Sequence, residues 1–148
     1  MTLMDQSVNE QLKEKALNIN AILLNKYGLP IWREPLAALD ELVSTILSQN
    51  TNDRNRDIAF YALKTRFPNW ESVINAPQDE VIKEIKPAGL ANQKGPRIQT
   101  ILKRIYEERG DLNLDFLTKL EAEQAMDWST SFKGVGPKTA SIVLQFSL

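Results

Sequence analysis

The sequence predicts an all-α protein, and three features of the chain predict it. Apolar residues recur at helical spacing in two long stretches, Leu39, Leu42, Val43, Ile46, Leu47 and Ile98, Ile101, Leu102, Ile105, Tyr106. Both follow i, i+3, i+4, i+7, i+8, the stripe of an amphipathic helix. No strand-like alternation lasts more than a few residues. Between the periodic stretches lie the Gly, Pro and Asn/Asp residues that end one helix and begin another. Roughly eight helices in a compact bundle or barrel are expected.

The 148 residues are enough for one domain with a continuous core. The chain contains neither cysteine nor histidine, which excludes disulfides, thiolate metal sites and the usual zinc and His-based catalytic arrangements. Any chemistry must come from Lys, Asp, Glu, Tyr, Ser or Thr. No apolar run approaches the ~18 residues of a membrane span, and the N-terminus is polar and acidic, so neither a span nor a signal peptide is expected. A net charge of −1 argues against a protein held to a polyanion by bulk charge. The distribution is less even. Lys83 to Arg104 holds six bases (Lys83, Lys86, Lys94, Arg97, Lys103, Arg104) against one acid, Glu84, and the segment from Lys133 onward holds two bases and no acid. If both stretches share a face, that face pairs with phosphates; the commoner meaning of such a run is a solvated helix surface.

Taken in order, Gln6 to Lys26 reads as a helix with Val8, Leu12, Ile19 and Leu23 on one side, ended by Gly28 and Pro30. A connection containing Trp32 leads to the second helix, the Leu39–Leu47 stripe, which begins near Pro35 or Ala38. It runs into Ser48-Gln49-Asn50-Thr51-Asn52-Asp53, where small polar side chains force the chain out of the helix. Asn52 or Asp53 caps the next helix, expected to turn Ile58, Tyr61, Ala62 and Phe67 inward. Trp70, Val73 and Ile74 form a short helix, and Pro77 opens another with Val81, Ile82 and Ile85 buried. Gly89 supplies a turn before the basic helix that carries Pro96 near its start. Leu112, Leu114, Leu117 and Leu120 lead into a helix ending with Met126, Trp128 and Phe132.

The last stretch, Lys133-Gly134-Val135-Gly136-Pro137-Lys138-Thr139-Ala140, carries the strongest local signal. Gly-x-Gly permits a tight hairpin, Pro137 suits a first helical position, and Ala140, Val143 and Leu144 mark a buried face. The free amides opening this helix can cradle a phosphate, helped by the helix dipole. This describes a helix-hairpin-helix that grips DNA without reading its sequence.

Gly134 to Ala140 resembles the hairpin of the endonuclease III-like helix-hairpin-helix (HhH-GPD) DNA glycosylases of base-excision repair. Two further segments resemble the same family in the same order. Ile46 to Asp53 is similar to the segment whose glutamine enters the gap left by a flipped nucleotide; ungapped alignment puts Asn50 there, with Gln49 just before it. Gly89-Leu90-Ala91-Asn92-Gln93-Lys94 is similar to the loop whose Leu and Asn wedge into the opened duplex. Ala91 replaces a commonly aromatic neighbour and Gly95 an alanine, changes expected to weaken stacking or loosen the loop. Ser129 stands where the family usually has an apolar residue, with Trp128 able to take over its packing. The likeness covers about residues 38 to 148.

The resemblance implies a helical barrel from 36 to 148, after an N-terminal helix and connection at 1–35, with the helix-hairpin-helix at about 120–148. It implies Lys138 as catalytic nucleophile, its neutral form favoured by the helix start and partial burial. It implies DNA contacts from Gln49, Asn50, Leu90, Ala91, Asn92, Lys94, Gly134, Val135, Gly136 and Thr139, and a monovalent cation at the Lys133 and Val135 carbonyls. The expected partner is duplex DNA carrying a damaged base or abasic site, bound by a monomer in the cytoplasm, at the nucleoid, with no membrane. The family's second catalytic residue, an aspartate well beyond the hairpin, has no counterpart, since Ala140 to Leu148 contains no acid. Glu41, Asp53 and Asp57 are the acids near the amide corner, and none matches its position. The chain is therefore expected to be an N-terminal portion of a longer glycosylase, nearly inactive alone and without a cofactor of its own. A [4Fe-4S] cluster would belong to the part beyond. Two other readings stay open: a non-catalytic helix-hairpin-helix module for distorted duplex, and an α-helical interaction module unrelated to DNA.

Overall fold

The computed structural model describes residues 3–30 and 34–148, with side chains from residue 9 onward. The chain forms two compact units, Met1–Glu34 and Pro35–Leu148. The first is one helix, α1 (Leu3–Tyr27), closed by Gly28 in a left-handed conformation with its amide on the Leu24 carbonyl. Leu12, Ile19 and Leu23 are exposed along it, as are Leu17, Ile22 and Leu24. The Val8 side chain and Trp32 lie outside the described residues.

The second unit contains α2 (Ala38–Ser48), α3 (Asp53–Arg66), α4 (Trp70–Asn75), α5 (Gln78–Glu84), α6 (Ala91–Arg109), α7 (Ala122–Thr130) and α8 (Pro137–Phe146). Short 3-10 turns occupy Lys86–Ala88 and Asp115–Lys119. No strand occurs among the described residues, so the all-α expectation holds. Helix α2 is central. Its stripe of Leu39, Leu42, Val43, Ile46 and Leu47 is buried, but so are Glu41, Ser44 and Thr45 on its other sides. It packs against α3, α6 and α8. Asp40 fastens neighbouring helices to it, accepting hydrogen bonds from Trp70 Nε1 of α4 at 2.7 Å and the Lys64 ammonium of α3 at 3.1 Å.

Three local expectations are corrected by packing. In α3 the inward residues are Ala59, Phe60 and Leu63, whereas Ile58 and Tyr61 are 47% and 62% exposed. Both sets have helical spacing, and the contacts of α3 with α2, α5 and the first 3-10 turn select the first. Tyr106 is likewise exposed, while the rest of its stripe, Ile98 to Ile105, is buried. Gly95 does not loosen its loop. It is buried where α6 crosses α5, and a Cβ there would lie 2.8 Å from Ile82 Cγ1, so the missing side chain lets the two helices touch. Helix α6 also begins earlier than Pro96 implies, with Leu90 as its N-cap and Pro96 in its second turn.

Helix α7 opens with a capping box between Glu121 and Gln124. Trp128 sits edge-on between the rings of Phe116 and Phe132, 4.9 and 4.8 Å centroid to centroid. Ser129 is buried and returns its hydroxyl to the Ala125 carbonyl at 2.7 Å. A void of about 10 Å³ lies beside it, among Leu42, Leu117, Phe132 and Val143. Because that carbonyl already serves the helix, the hydroxyl contributes little. Ser129→Ala is expected to raise the unfolding free energy by about 0.5 kcal/mol through helix propensity, read from the midpoint of urea denaturation.

Candidate nucleic-acid interface

Three loops build the candidate interface. The first follows α2. Ser48 to Thr51 form a type II turn: Gln49 at φ −59°, ψ 124°, Asn50 at φ 54°, and the Thr51 amide on the Ser48 carbonyl at 3.2 Å. The third residue of such a turn needs positive φ, which asparagine tolerates. Asn50 is thereby pushed out with an exposed side chain. Asn52 then caps α3, its carboxamide accepting from the Asn55 amide at 2.9 Å.

The second loop joins the 3-10 turn to α6. Gly89 and Leu90 take left-handed conformations in succession, at φ 68° and φ 50°. Leucine gains nothing from that geometry, which costs a residue with a Cβ about 1–2 kcal/mol. Its side chain is nonetheless 46% exposed. Asn50 and Leu90 are the two non-glycine residues with positive φ among the described residues. Asn92 is exposed on the first turn of α6, and Ala91 is half-buried.

The third loop is the hairpin between α7 and α8. Gly134 has φ 90°, which demands glycine, and a Cβ there would lie 2.5 Å from Cδ of Arg97. Gly136 is different: its backbone is at φ −92°, ψ 176°, and a Cβ would meet nothing within 4 Å. The protein itself does not require glycine at 136, and the space in front of it is open. Gly136 caps α8 with no side chain on the first-turn amides, so those of Lys138 and Thr139 have no intrahelical acceptor. Val135 and Thr139 are buried, so their side chains are not available to an outside partner. Lys138 is exposed on the first turn, so the partial burial expected of it is not found.

Internal hydrogen bonds join the loops. Gln49 donates from Nε2 to the Gly134 carbonyl at 3.0 Å and accepts at Oε1 from Arg97 Nη1 at 3.1 Å. Its amide is used at both ends, whereas Asn50 beside it points away. Lys94 is 1% exposed, and its ammonium donates to the carbonyls of Leu47 and Ala88, both at 2.8 Å. A DNA contact from Lys94 is therefore not what the structure provides; the residue lies inside the protein. Burial, and the positive charge of Arg97, push its pKa below the ordinary lysine value. The hairpin that carries Lys138 thus stands on the same side as the loops of Asn50 and Leu90.

The HhH-GPD superfamily base excision DNA repair protein model matches residues 43–142. The chain belongs to this family. It is 44% identical over 115 residues to an Arabidopsis thaliana protein named "Putative DNA glycosylase", covering 78% of this chain and 39% of that one. It is 32% identical over 105 residues to endonuclease III of Sulfolobus acidocaldarius, covering 70% and 44%. The chain thus spans less than half the length of these two relatives. A trapped endonuclease III–DNA covalent intermediate superimposes with a TM-score of 0.64 at 20% identity, over 93% of this chain and 59% of that one. That likeness is one of fold.

In this HhH-GPD chain the basic run from Lys83 to Arg104 does not form a single phosphate-facing surface. Lys94 is internal, Arg97 serves Gln49, and Arg104 pairs with Glu108 at 2.6 Å while donating to the Ser131 carbonyl at 3.0 Å. Lys103 lies 3.8 Å from Glu107. Lys83, Lys86, Lys133 and Lys138 are exposed. A groove of about 500 Å³ runs between α6 and the hairpin, bordered by Asn92, Arg97, Arg104, Phe132 and Lys133. Of the acids near the amide corner, Asp53 and Asp57 flank Arg56, and Glu41 is buried in α2 with Thr45 donating to it.

The two hairpin glycines should respond differently to alanine. Gly134→Ala is expected to cost about 1–3 kcal/mol of stability, from positive φ and the collision with Arg97. Gly136→Ala should stay within about 0.5 kcal/mol. Thermal unfolding of both variants checks the split.

Proposed function

We propose that this chain supplies the duplex grip, the strand-opening loops and the attacking amine of a base-excision DNA glycosylase with abasic-site lyase activity. The observation that carries the reading is the hydrogen bond from Gln49 to the Gly134 carbonyl. It sets the hairpin next to the amide corner, with the Leu90 loop tied to the same corner through Lys94.

A nucleotide in the stack exposes its C1′ to attack only when it is turned out of the duplex, which costs a few kcal/mol. Asn50, Leu90 and Asn92 would fill the vacated space, with Asn50 rather than Gln49 as the inserting amide because the Gln49 carboxamide is already engaged. The first-turn amides of Lys138 and Thr139, next to open Gly136, would receive a backbone phosphate. Among the described residues the Lys133 and Val135 carbonyls accept no hydrogen bond, so they fit a monovalent cation facing that phosphate. Lys138, as a neutral amine, would bond to C1′ as the base departs with the glycosidic electron pair. Proton loss from the nitrogen and opening of the C1′–O4′ bond, with O4′ taking up a proton, would then give an imine; this acidifies the neighbouring C2′–H, and loss of that proton breaks C3′–O and expels the 3′ phosphate.

Thr139 to Leu148 carries no acidic side chain, so these residues supply no carboxylate to manage those protons. It has no cysteine, so its own residues do not fit an iron–sulfur cluster. The missing carboxylate also keeps a second reading in play, a module that binds distorted duplex with Lys138 as a phosphate contact.

Borohydride trapping on abasic-site DNA separates them. Slow covalent capture, abolished by Lys138→Gln, is expected. Capture that survives Lys138→Gln would remove Lys138 from the chemistry, and binding with no capture at all would favour the module. Affinity for duplex should fall at least about tenfold between about 50 and 200 mM salt. Salt-independent binding would argue against a DNA ligand altogether. Gly136→Ala should weaken that affinity without unfolding the chain.

A further inference from the structure

We infer that Lys94 is a positioning residue that locks the Asn50 and Leu90 loops into one rigid wedge. The inference rests on the strand-opening reading above and assigns it a residue that makes no contact with the duplex.

The two carbonyls that Lys94 holds are not arbitrary. Leu47 is the next-to-last residue of α2, three before Asn50; Ala88 ends the 3-10 turn, two before Leu90. Each lies in the last turn before a residue driven into the left-handed region with its side chain exposed. Neither carbonyl has an amide of its own element to accept from, because the chain turns away immediately after it. One ammonium satisfies both, and so fixes the distance between the two departure points.

The choice of group is informative. A buried ammonium is costly to desolvate, and among the described residues Lys94 has no carboxylate partner to offset that cost. An apolar side chain would fill the volume more cheaply but leave two buried carbonyls without donors. A neutral amide would not span both. The lysine stem rises from the first turn of α6, the same turn that begins at Leu90, whose own carbonyl accepts from the Gln93 and Lys94 amides. The second loop is thus bound to Lys94 through backbone and side chain, and the first through the side chain alone.

A merely structural lysine and a positioning one differ in what their removal disturbs. Lys94→Met keeps length and loses the donor. Amide hydrogen exchange on the free chain is expected to speed up at least tenfold in both 48–52 and 88–92, with α2 and α6 interiors changed less than threefold. Acceleration in only one loop, in neither, or equally across all helices would overturn the inference. Because the chain has no cysteine, K94C alkylated with 2-bromoethylamine in denaturant and refolded restores a lysine-like ammonium at that site alone. Recovery of slow exchange in both loops is expected, and failure to recover, with wild-type protein refolding normally, would count against a role for the ammonium. Should K94M not fold, Lys94→Gln carries the same exchange comparison, with the same outcomes deciding.

Strand opening is read separately, with 2-aminopurine placed next to an abasic site. Wild-type chain should raise its fluorescence; K94M should lose at least tenfold of that response per bound complex while its affinity for intact duplex stays within twofold. An equal response from K94M overturns the inference and leaves the strand-opening reading standing. No response from wild type removes that reading and the inference with it, and the wild-type arm identifies which has happened.

Discussion

The ammonium of Lys94, enclosed between the Leu47 and Ala88 carbonyls, is the constraint on which the geometry of the interface depends. An ammonium cannot be buried without strong acceptors, and carbonyls at the ends of two elements cannot be buried without donors. Each requirement is met by the other, so the end of α2 and the start of α6 are held in one arrangement. Gln49 extends this arrangement to the hairpin by binding the Gly134 carbonyl, and Arg97 holds Gln49 in turn while its stem covers Gly134. Three loops far apart in sequence are fixed to one another by a handful of polar atoms.

Strain is distributed unevenly over that framework. Asn50 occupies a left-handed position of a turn type that suits asparagine, whereas Leu90 occupies one that suits glycine. A solvent-exposed leucine in an unfavourable backbone conformation is not explained by packing, and positions of this kind concentrate at functional sites. The hairpin glycines divide the same way. Gly134 is required by the protein's own backbone and by Arg97, but Gly136 is required by neither, and the space in front of it is open.

Charge takes a smaller part than the sequence implies. Most of the cations between Lys83 and Arg104 are spent internally, on carbonyls, on Gln49 or on glutamates one helical turn away. In the proposed reading the means of holding an anion would be directional instead, namely the unpaired amides at the start of α8 with Lys133 and Lys138 beside them. A near-neutral protein can bind a phosphate backbone in this manner because the donors are fixed in place before binding.

The sequence by itself determined the helices and the three loops between them, and narrowed the cap of α3 to Asn52 or Asp53. Helical period, Gly-Pro punctuation and the Asn52 cap are local properties, written within a few residues of where they act. It also determined the family, because three spaced motifs in the right order are far more specific than any one. It did not determine the inward face of α3, since Ile58-Tyr61-Ala62 and Ala59-Phe60-Leu63 have equally helical spacing and only neighbouring helices distinguish them. Nor could it separate Lys94 from Lys86 or Lys138, or Gln49 from Asn50. Those assignments depend on which carbonyl lies within about 3 Å of a side-chain nitrogen. Such proximity arises from the crossing of α2, α6 and the hairpin, and it exists only once the tertiary structure has formed.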